Sequence, residues 1–509
     1  MSLAEMVTSS PGLTRFLMSH ARPSMFEHRG PAFVRRVLRA AIEHTVAYPA
    51  FLIAHGFDPA EATWERFAEL PLTSKHDYVD RYPLRERVVD GRLCGAYVIE
   101  RSSGLGGGCY YWPRLREQDE EFIPQVDMGM RMYFGIDRIP TLLLSTFALG
   151  TWTAGVKLAY TLRRVAASGY PVTVITPGVD LEETLRIIQD LSPEYGQTIL
   201  FGYPPFLKTV VDEGAARGLR WERYNVRLGT GGEGFPEEWR ERMLERLGHD
   251  PERDLLSVVS GYGAADFGGT DVGRENPFSV LVRRLCLHDA GLCRDIFGED
   301  TPPSLFQFDP GAAFVEQIDE RLVVTVSGAV PLVRYDILDA GGTIPFDAVI
   351  GALHDHDLDP VGLMEIRGFS AADIFPMPFV YVHGRVDGTV TVGGANVYAQ
   401  DITGVLAAAG DVDILGHKLG MRDERFVILL EHRDPQLKKS EAATLAKKYH
   451  RLMVEGLLRV NSEYRDQYNG NRRVADPLVE VYPAGGGPFG DDVGRLKRRY
   501  TVEGHPAAA

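Results

Sequence analysis

Short apolar runs alternate with amphipathic segments through the middle of the chain. The runs AYVIE, TLLLSTF, PVTVIT and QTILFGY are almost wholly apolar, which is typical of buried strands. Residues 116–133, 154–169 and 181–191 instead place their apolar residues at helical spacing. Strands that alternate with helices in this way predict a mostly parallel sheet covered by helices.

Other patterns flank this region. Residues 30–56 have helical periodicity and end at a glycine, which predicts one long helix. The Thr-Ser pair at 73–74 can cap a short helix that runs through Tyr82. Residues 314–335 predict antiparallel strands joined by polar turns, and a long helix is predicted near residues 437–462.

The composition changes near residue 384, where a Gly- and Val-rich stretch begins. We therefore predict an α/β protein with two domains. Residues 1–383 form a large N-terminal domain of helix-covered mixed sheets, and residues 384–509 form a small, mobile α+β domain. A chain of 509 residues is long enough for such a division and for a large buried core.

Composition narrows the classes of function. The net charge of −15 disfavours nonspecific binding of nucleic acid, which needs a basic surface. Four cysteines in so long a chain indicate a reducing compartment rather than a disulfide framework. The N-terminus lacks the pattern of a signal peptide, and no apolar stretch approaches the roughly 20 residues of a membrane span. We expect a cytoplasmic protein that binds neither nucleic acid nor membranes.

A glycine-rich segment, VIERSSGLGGGCYYWPR, extends from Val98 to Arg114. Backbone amides in a loop of this kind can surround a phosphate group. The segment lacks the Gly-Lys-Ser/Thr of a Walker loop and the spacing of a dinucleotide fingerprint. From these residues alone, a phosphate-binding loop and an ordinary surface loop are equally open.

Three further segments carry candidate chemistry. In SVVSGYGAADFGG, Tyr262 and Asp266 follow an apolar strand and could present a ring and a carboxylate to a cleft. In PLVRYDILDAGG, Asp339 could accept two hydrogen bonds from a ribose diol. Taken one at a time, tight turns explain these two segments better. Arg385 and Asp387 flank a predicted hinge.

Taken in order, the segments resemble the motifs of the adenylate-forming enzymes. SSGLGGGC, GGEGF, YGAAD, VRYDILD, GRVDGTVTVGGANVY and GRLKRRY follow one another at the expected spacings. The stretches LPLTSKHDYVDRYP and GTGGEGFPEEWRERM resemble motifs of the phenylacetate–coenzyme A ligase branch. The resemblance implies ATP-dependent activation of a carboxylic acid as an acyl-adenylate, most often followed by rotation of the small domain and transfer to coenzyme A.

The resemblance also implies roles for individual residues. Those expected to bind the nucleotide are Ser102, Ser103, Gly104, Gly106, Gly107, Gly108, Gly232, Glu233, Tyr262, Gly263, Asp339 and Arg385. Asp266, where the family usually has Glu, would help hold Mg²⁺, and Asp387 would be the hinge. Arg495 and Lys497 would stabilise adenylation, and Gly393 and Gly394 would lie along the coenzyme A path.

Phe147, Trp152 and Tyr203 correspond to a region that lines the acyl pocket in relatives, which suggests an aromatic or flat apolar acid. Packing in the core is the alternative for each of these side chains.

Two departures from the family pattern leave the function open. The loop SSGLGGGC lacks both threonines and the lysine of the usual SSGTTGKP, and Arg495 stands where GKxxR has its lysine. Three hypotheses remain: an acid–coenzyme A ligase, an adenylating enzyme with another acceptor such as a carrier protein or an amine, and a nucleotide-binding relative without catalysis. The expected ligands are ATP, Mg²⁺ and coenzyme A, and a homodimer is left open.

A structural zinc site is not expected. Cys286, His288 and Cys293 lie close together in CLHDAGLC, and His354 or His356 would be needed to complete a set. Their spacing gives no clear group of four ligands.

Overall fold

The computed structural model describes residues 10–103, 109–267, 271–385, 389–392, 395–422, 425–470, 472–492 and 500–503. Helices and strands alternate as predicted, and the three helices expected in the middle of the chain are confirmed. The α-helices are α1 (Pro11–Ser19), α2 (Pro23–Glu27), α3 (Arg29–His44), α4 (Ala47–Ala54), α5 (Leu84–Arg87), α6 (Arg116–Phe134), α7 (Thr153–Ala166), α8 (Leu181–Leu191), α9 (Pro204–Ala216), α10 (Glu237–Leu247), α11 (Pro277–His288), α12 (Ala290–Phe297), α13 (Phe346–Asp355), α14 (Pro360–Glu365), α15 (Ala399–Ala408), α16 (Lys439–Val460), α17 (Ser462–Gly470) and α18 (Arg472–Ala475).

The single helix predicted over residues 30–56 is wrong in one respect, because α3 and α4 are separate helices. Thr45 lies between them; its Oγ1 donates to the carbonyl of Ala41 at 2.6 Å and accepts from the amide of Tyr48 at 3.3 Å. One side chain therefore ends the first helix and begins the second.

Among the described residues, no single helix has the length and apolar composition needed to cross a membrane. One bent pair, Pro23–His44 followed at 95° by Ala47–Ala54, meets those two criteria, by length and composition alone.

The largest sheet in the described part of the chain has twelve strands. They are β1 (Thr73–Ser74), β4 (Thr141–Ser145), β5 (Val172–Ile175), β6 (Gln197–Gly202), β7 (Val226–Gly231), β8 (Val258–Gly263), β9 (Asp271–Arg274), β10 (Ser304–Gln307), β11 (Ala313–Ile318), β12 (Arg321–Val326), β13 (Leu332–Ile344) and β14 (Phe379–Arg385). Their order is β11-β12-β13-β14-β10-β9-β8-β7-β6-β4-β5, with β1 beside β13. Strands β5, β4, β6, β7 and β8 are parallel, and β9 to β14 pair antiparallel. The sheet is thus mixed, and the antiparallel strands expected over 314–335 are confirmed.

The strand predicted at AYVIE does not join the parallel sheet. It forms β2 (Val98–Ser103), which pairs antiparallel with β3 (Cys109–Arg114) in a separate two-stranded sheet. The apolar Ile99 faces outward and is 46% exposed, whereas the acidic Glu100 is buried and forms an ion pair with Arg114. The pattern of AYVIE alone does not predict this arrangement, because the charge of the buried Glu100 is neutralised by Arg114, which lies outside the run.

The strands after Arg385 pair only with one another in the described part of the chain. They are β15 (Thr389–Val392) with β16 (Ala395–Tyr398), and β17 (Ile414–Arg422), β18 (Arg425–His432), β19 (Leu478–Pro483) and β20 (Thr501–Glu503) in the order β19-β18-β17-β20. The long helix predicted near 437–462 is α16, which buries Tyr449, Met453 and Leu457. A domain boundary near residue 384 remains a prediction.

Candidate active site

The candidate site lies where the parallel strands β4, β6, β7 and β8 end. Ligands of open α/β sheets bind in the crevice at the carboxyl ends of such strands. Phe147 follows β4, Tyr203 follows β6, and Glu233 follows β7. Tyr262 is the next-to-last residue of β8. Gly232, between β7 and Glu233, has φ +81°, a conformation that favours glycine. The sheet topology therefore gathers residues that are distant in sequence.

Tyr262 and Asp339 are in direct contact. The hydroxyl of Tyr262 donates to Asp339 Oδ2 at 2.7 Å, and its ring stacks at 5.8 Å on Phe306. Burial, and then the nearby Asp339 carboxylate, raise the pKa of Tyr262 well above its usual range, so the phenol keeps its proton. The hydroxyl thus holds the carboxylate that was predicted to bind ribose.

Asp339 is also close to Arg385. The two residues are opposite each other in the β13–β14 ladder, with Arg385 Nη1 3.8 Å from Asp339 Oδ1. Leu338, just before Asp339, has φ +65°, which is rare for a branched residue, and its amide donates to Asp336 Oδ1 at 2.9 Å. Such backbone strain is a common feature of functional sites.

Asp266, predicted to help hold Mg²⁺, is buried and has two polar partners. Tyr335 donates its hydroxyl to Asp266 Oδ2 at 2.7 Å, and Lys75 Nζ lies 3.1 Å from the same oxygen. Tyr335 is on β13, four residues before Asp339. The end of β8 and the segment after it are therefore joined to β13 by two hydrogen bonds, Tyr262–Asp339 and Tyr335–Asp266.

Lys75 was missed by the sequence analysis, although it stands in the quoted stretch LPLTSKHDYVDRYP. Ser74 Oγ accepts from the amide of Asp77 at 3.0 Å and caps a single π-helical turn, Lys75–Val79, shorter than the predicted helix. β1 pairs in parallel with β13, with Ser74 opposite Asp336. Lys75 Nζ also lies 4.9 Å from the ring centroid of Tyr110 on β3. A lysine thus reaches the hairpin that carries the glycine-rich segment.

Ser102 lies near the end of β2, where its Oγ accepts from Trp112 Nε1 at 3.0 Å. Ser103 ends the strand. The other residues predicted for the phosphate loop, the hinge, the coenzyme A path and the adenylation cluster lie outside the described residues; they are Gly104, Gly106, Gly107, Gly108, Asp387, Gly393, Gly394, Arg495 and Lys497. Gly263 is described and pairs with Asp271 across β8 and β9.

Glu233 contacts the C-terminal segment. Tyr500 donates its hydroxyl to Glu233 Oε2 at 2.7 Å, and the Tyr500 ring lies 5.2 Å from that of His417. Two ion pairs, Arg433–Glu213 and Arg465–Asp300, also connect residues that follow Arg385 with residues that precede it. Glu233, predicted to bind the nucleotide, is thus in contact with the segment that follows GRLKRR.

The three aromatic residues predicted for the acyl pocket do not form one cluster of ring contacts. Phe147 and Tyr203 meet edge to face, with ring centroids 4.7 Å apart. Phe147 also faces the backbone of Gly231, where an added Cβ would lie 3.7 Å from its Cζ. Trp152 instead lies against the guanidinium of Arg101, 4.3 Å from the ring centroid to Cζ. Phe147 and Tyr203 are therefore buried beside each other, next to Gly231 at the end of β7; their role in an acyl pocket remains a prediction.

The zinc candidates have other partners. Cys286 and Cys293 are buried, and contact with Cys286, together with burial, raises the pKa of the Cys293 thiol. His356 contacts Asp289 and Asp295, and His288 contacts Glu241. Within the described ranges, no group of three or more His, Cys, Asp or Glu side chains is arranged to hold a metal ion.

Comparison with known proteins gives a fold but no close relative. No family model matches the chain, and no curated protein matches it. A 2-hydroxyisobutyryl-CoA ligase in the postadenylation state, in complex with R3-HIB-AMP, superposes with a TM-score of 0.60 at 14% identity, over 93% of this chain and 88% of the ligase. The GH3.15 acyl acid amido synthetase superposes with a TM-score of 0.57 at 12% identity, over 97% of this chain and 93% of the synthetase.

The chain has the fold of these two enzymes. The fold class predicted from the sequence is therefore confirmed. The same 2-hydroxyisobutyryl-CoA ligase with 2-HIB-AMP and CoA, in the thioesterification state, superposes with a TM-score of 0.52 at 15% identity, over 96% of this chain and 91% of the ligase.

Proposed function

We propose that this chain uses ATP to convert a carboxylic acid into a bound acyl-adenylate, releasing pyrophosphate. The observation that carries the proposal is the meeting of two pairs of residues, Tyr262 with Asp339 and Asp266 with Lys75, at one end of the large sheet. The aromatic ring and carboxylate of the first pair can bind a nucleoside. The ammonium group of the second pair can bind its phosphates. The similarity of fold to a CoA ligase and an amido synthetase supports the same reaction class.

The nucleoside would bind between the segment after β7 and Tyr262. The aromatic ring offers a stacking surface for adenine, and the Asp339 carboxylate can accept both ribose hydroxyls. Ribose would replace the Tyr262 hydroxyl on Asp339, so that one hydrogen-bond donor is exchanged for others. Arg385, beside Asp339, would bring positive charge to the nucleotide.

The triphosphate would lie between the glycine-rich segment and the Asp266–Lys75 pair. Asp266, which contacts Tyr335 and Lys75 through Oδ2, would help hold the Mg²⁺ ion that accompanies ATP. A carboxylate oxygen is a ligand that this cation prefers. Magnesium would supply charge neutralisation at the phosphate oxygens. Lys75 would supply the cation that the glycine-rich segment lacks, and its ammonium would move from Asp266 to phosphate.

The acid would bind on the Phe147 and Tyr203 side of the crevice. Its carboxylate attacks the α-phosphorus, the bond to the bridging oxygen breaks, and pyrophosphate leaves. Catalysis of this step is mostly positioning and stabilisation of the developing charge. Arg495 and Lys497 precede Tyr500 by a few residues, and the contact of Tyr500 with Glu233 supports a role for both over the nucleotide.

Coenzyme A is the acceptor we favour, as expected of a phenylacetate–coenzyme A ligase-like enzyme. A carrier protein and an amine remain alternatives, since one enzyme of the same fold is an acyl acid amido synthetase. Assembly as a homodimer and location in the cytoplasm remain predictions.

The test is exchange of labelled pyrophosphate into ATP with a panel of carboxylic acids. We expect exchange that depends on both an acid and Mg²⁺. Arg495→Ala or Lys497→Ala should reduce exchange while sparing the thioester step from a pre-made acyl-adenylate. Absence of exchange with every acid, together with absence of ATP binding by calorimetry, would overturn the proposal; ATP binding without exchange would indicate a nucleotide-binding relative without catalysis. Addition of coenzyme A, followed by mass spectrometry for a thioester, separates the acceptors.

A further inference from the structure

Lys157, on α7, is a buried lysine without a hydrogen-bond partner for its ammonium in the described part of the chain. Its side chain is 8% exposed. The nearest carboxylate oxygen in an ion pair is Asp271 Oδ1, at 3.9 Å, beyond hydrogen-bond distance. Nζ lies 3.2 Å from the centroid of the Phe122 ring. An ammonium carries three donors, and leaving them unmade in a buried site is costly.

The charged groups around Lys157 also have other partners. Asp271 Oδ2 is 3.1 Å from Arg274 Nε, and Arg114 contacts both Glu100 and Asp119. Burial lowers the pKa of Lys157 to about 8, which Asp271 and Glu100 only partly offset. Lys157 is thus a buried cation whose nearest anion, Asp271, is shared with Arg274.

Lys157 lies near two elements that carry predicted site residues. Asp271 is opposite Gly263 in the β8–β9 ladder, one residue from Tyr262. Helix α7 begins after Trp152 and is pressed against the residues that follow β4: a Cβ added at Gly155 would lie 1.9 Å from the carbonyl oxygen of Ala148. The backbone next to Phe147 therefore fixes the turn of helix from which Lys157 extends.

We propose that Lys157 binds an oxygen of the acid substrate that is remote from the reacting carboxyl group. The substrate class is then an acid with a second oxygen function, a carboxylate, a carbonyl or a hydroxyl, rather than a pure hydrocarbon acid. This inference rests on the proposed function and makes it more specific. It adds Lys157 as a specificity-determining residue of the acid site.

The experiment compares matched acids on the wild type and on Lys157→Met, which keeps the length of the side chain and removes its charge. Suitable pairs are hexanoate with adipate and 6-hydroxyhexanoate, and phenylacetate with its 4-carboxy and 4-hydroxy derivatives. We measure kcat/KM for pyrophosphate exchange and, separately, binding of each acid by calorimetry without ATP. The wild type should prefer the oxygenated acids by at least about tenfold, because a hydrogen bond to a charged group is stronger than one between neutral groups.

Lys157→Met should abolish that preference and leave the hydrocarbon acids within about threefold of the wild type. Lys157→Gln, which keeps donors but no charge, should retain the preference for the hydroxy acids and lose that for the dicarboxylic acids. Lys208→Met is the control, because Lys208 is a partly buried lysine paired with Asp212 on α9. Thermal melts identify any variant that fails to fold, and the Gln variant then replaces the Met variant.

The outcomes separate the two proposals. A preference that persists in Lys157→Met, or a wild type that treats matched acids alike, overturns the role of Lys157 while exchange itself upholds the proposed function. Lys157-dependent binding of oxygenated acids without any exchange upholds the site and overturns acid activation. Absence of both exchange and binding overturns both.

Discussion

Tyr262 donates its hydroxyl to Asp339 across 2.7 Å, although the two residues belong to different strands and to different predicted roles. In the proposed nucleotide complex, Asp339 exchanges this donor for ribose while the ring of Tyr262 remains in place. The hydroxyl and the ring of Tyr262 therefore have separable effects.

We expect Tyr262→Phe to change KM for ATP by no more than about threefold, because the ring is retained. Tyr262→Ala should raise KM by about 10–100-fold, since stacking of a base on an aromatic ring contributes about 1–3 kcal/mol. Steady-state pyrophosphate exchange measures both values. Equal losses in the Phe and Ala variants would contradict stacking and assign the effect to the hydroxyl.

Lys75 is expected to act on the triphosphate. Lys75→Met should lower kcat/KM for exchange by about 10–100-fold, corresponding to about 1.4–2.8 kcal/mol of transition-state stabilisation. Lys75→Arg should recover part of this loss, because the charge is kept but its geometry differs. His76→Ala is the control, since the neighbouring His76 side chain is 89% exposed. If Lys75→Met and His76→Ala behave alike, Lys75 has no part in catalysis.

The architecture was accessible from sequence because its signals are local. The runs at β4, β5 and β6 are mostly apolar, and the helix at 181–191 is amphipathic, so the pattern within each segment predicts its secondary structure. The hairpin of β2 and β3 was not accessible, because burial of Glu100 depends on Arg114 from the other strand. The pattern within one segment does not show that a buried charge in it is neutralised by a residue from another segment.

The candidate site likewise contains residues that motifs predict and contacts that no local pattern predicts. Tyr262, Asp266 and Asp339 were predicted from ordered motifs, whereas Lys75 was overlooked within a motif that had been quoted only for its resemblance. Its proximity to Asp266 follows from the parallel pairing of β1 with β13, a contact between segments far apart in the chain. The contact of Tyr500 with Glu233 likewise depends on how the C-terminal segment packs, which no spacing along the sequence encodes.

Tyr500→Phe removes one hydroxyl from the contact with Glu233. If that contact orients the segment that contains Arg495 and Lys497, exchange should slow by about 3–10-fold, in line with about 0.5–1.5 kcal/mol for one hydrogen bond. Hydrogen exchange should increase in β20 at the same time. Tyr482→Phe is the matched control, because Tyr482 donates to Glu480 within the C-terminal sheet at 2.6 Å. Wild-type rates in both variants would exclude the orienting role.

His383 is expected to make the protein sensitive to acid. It is on β14, 3.5 Å from Glu299, with its ring beside those of Tyr381 and Tyr398, and burial lowers its pKa to about 4. Below pH 6.5 the unfolded chain binds a proton that the folded protein does not, so the free energy of unfolding falls between pH 6.5 and 4, by up to about 3 kcal/mol.

His383→Gln should flatten this decline and leave the urea midpoint at pH 7.5 nearly unchanged. Urea midpoints at pH 4.5 and 7.5 measure the effect, with the exposed His55→Gln as control. An equal decline in the wild type and in His383→Gln would assign the acid sensitivity to other groups.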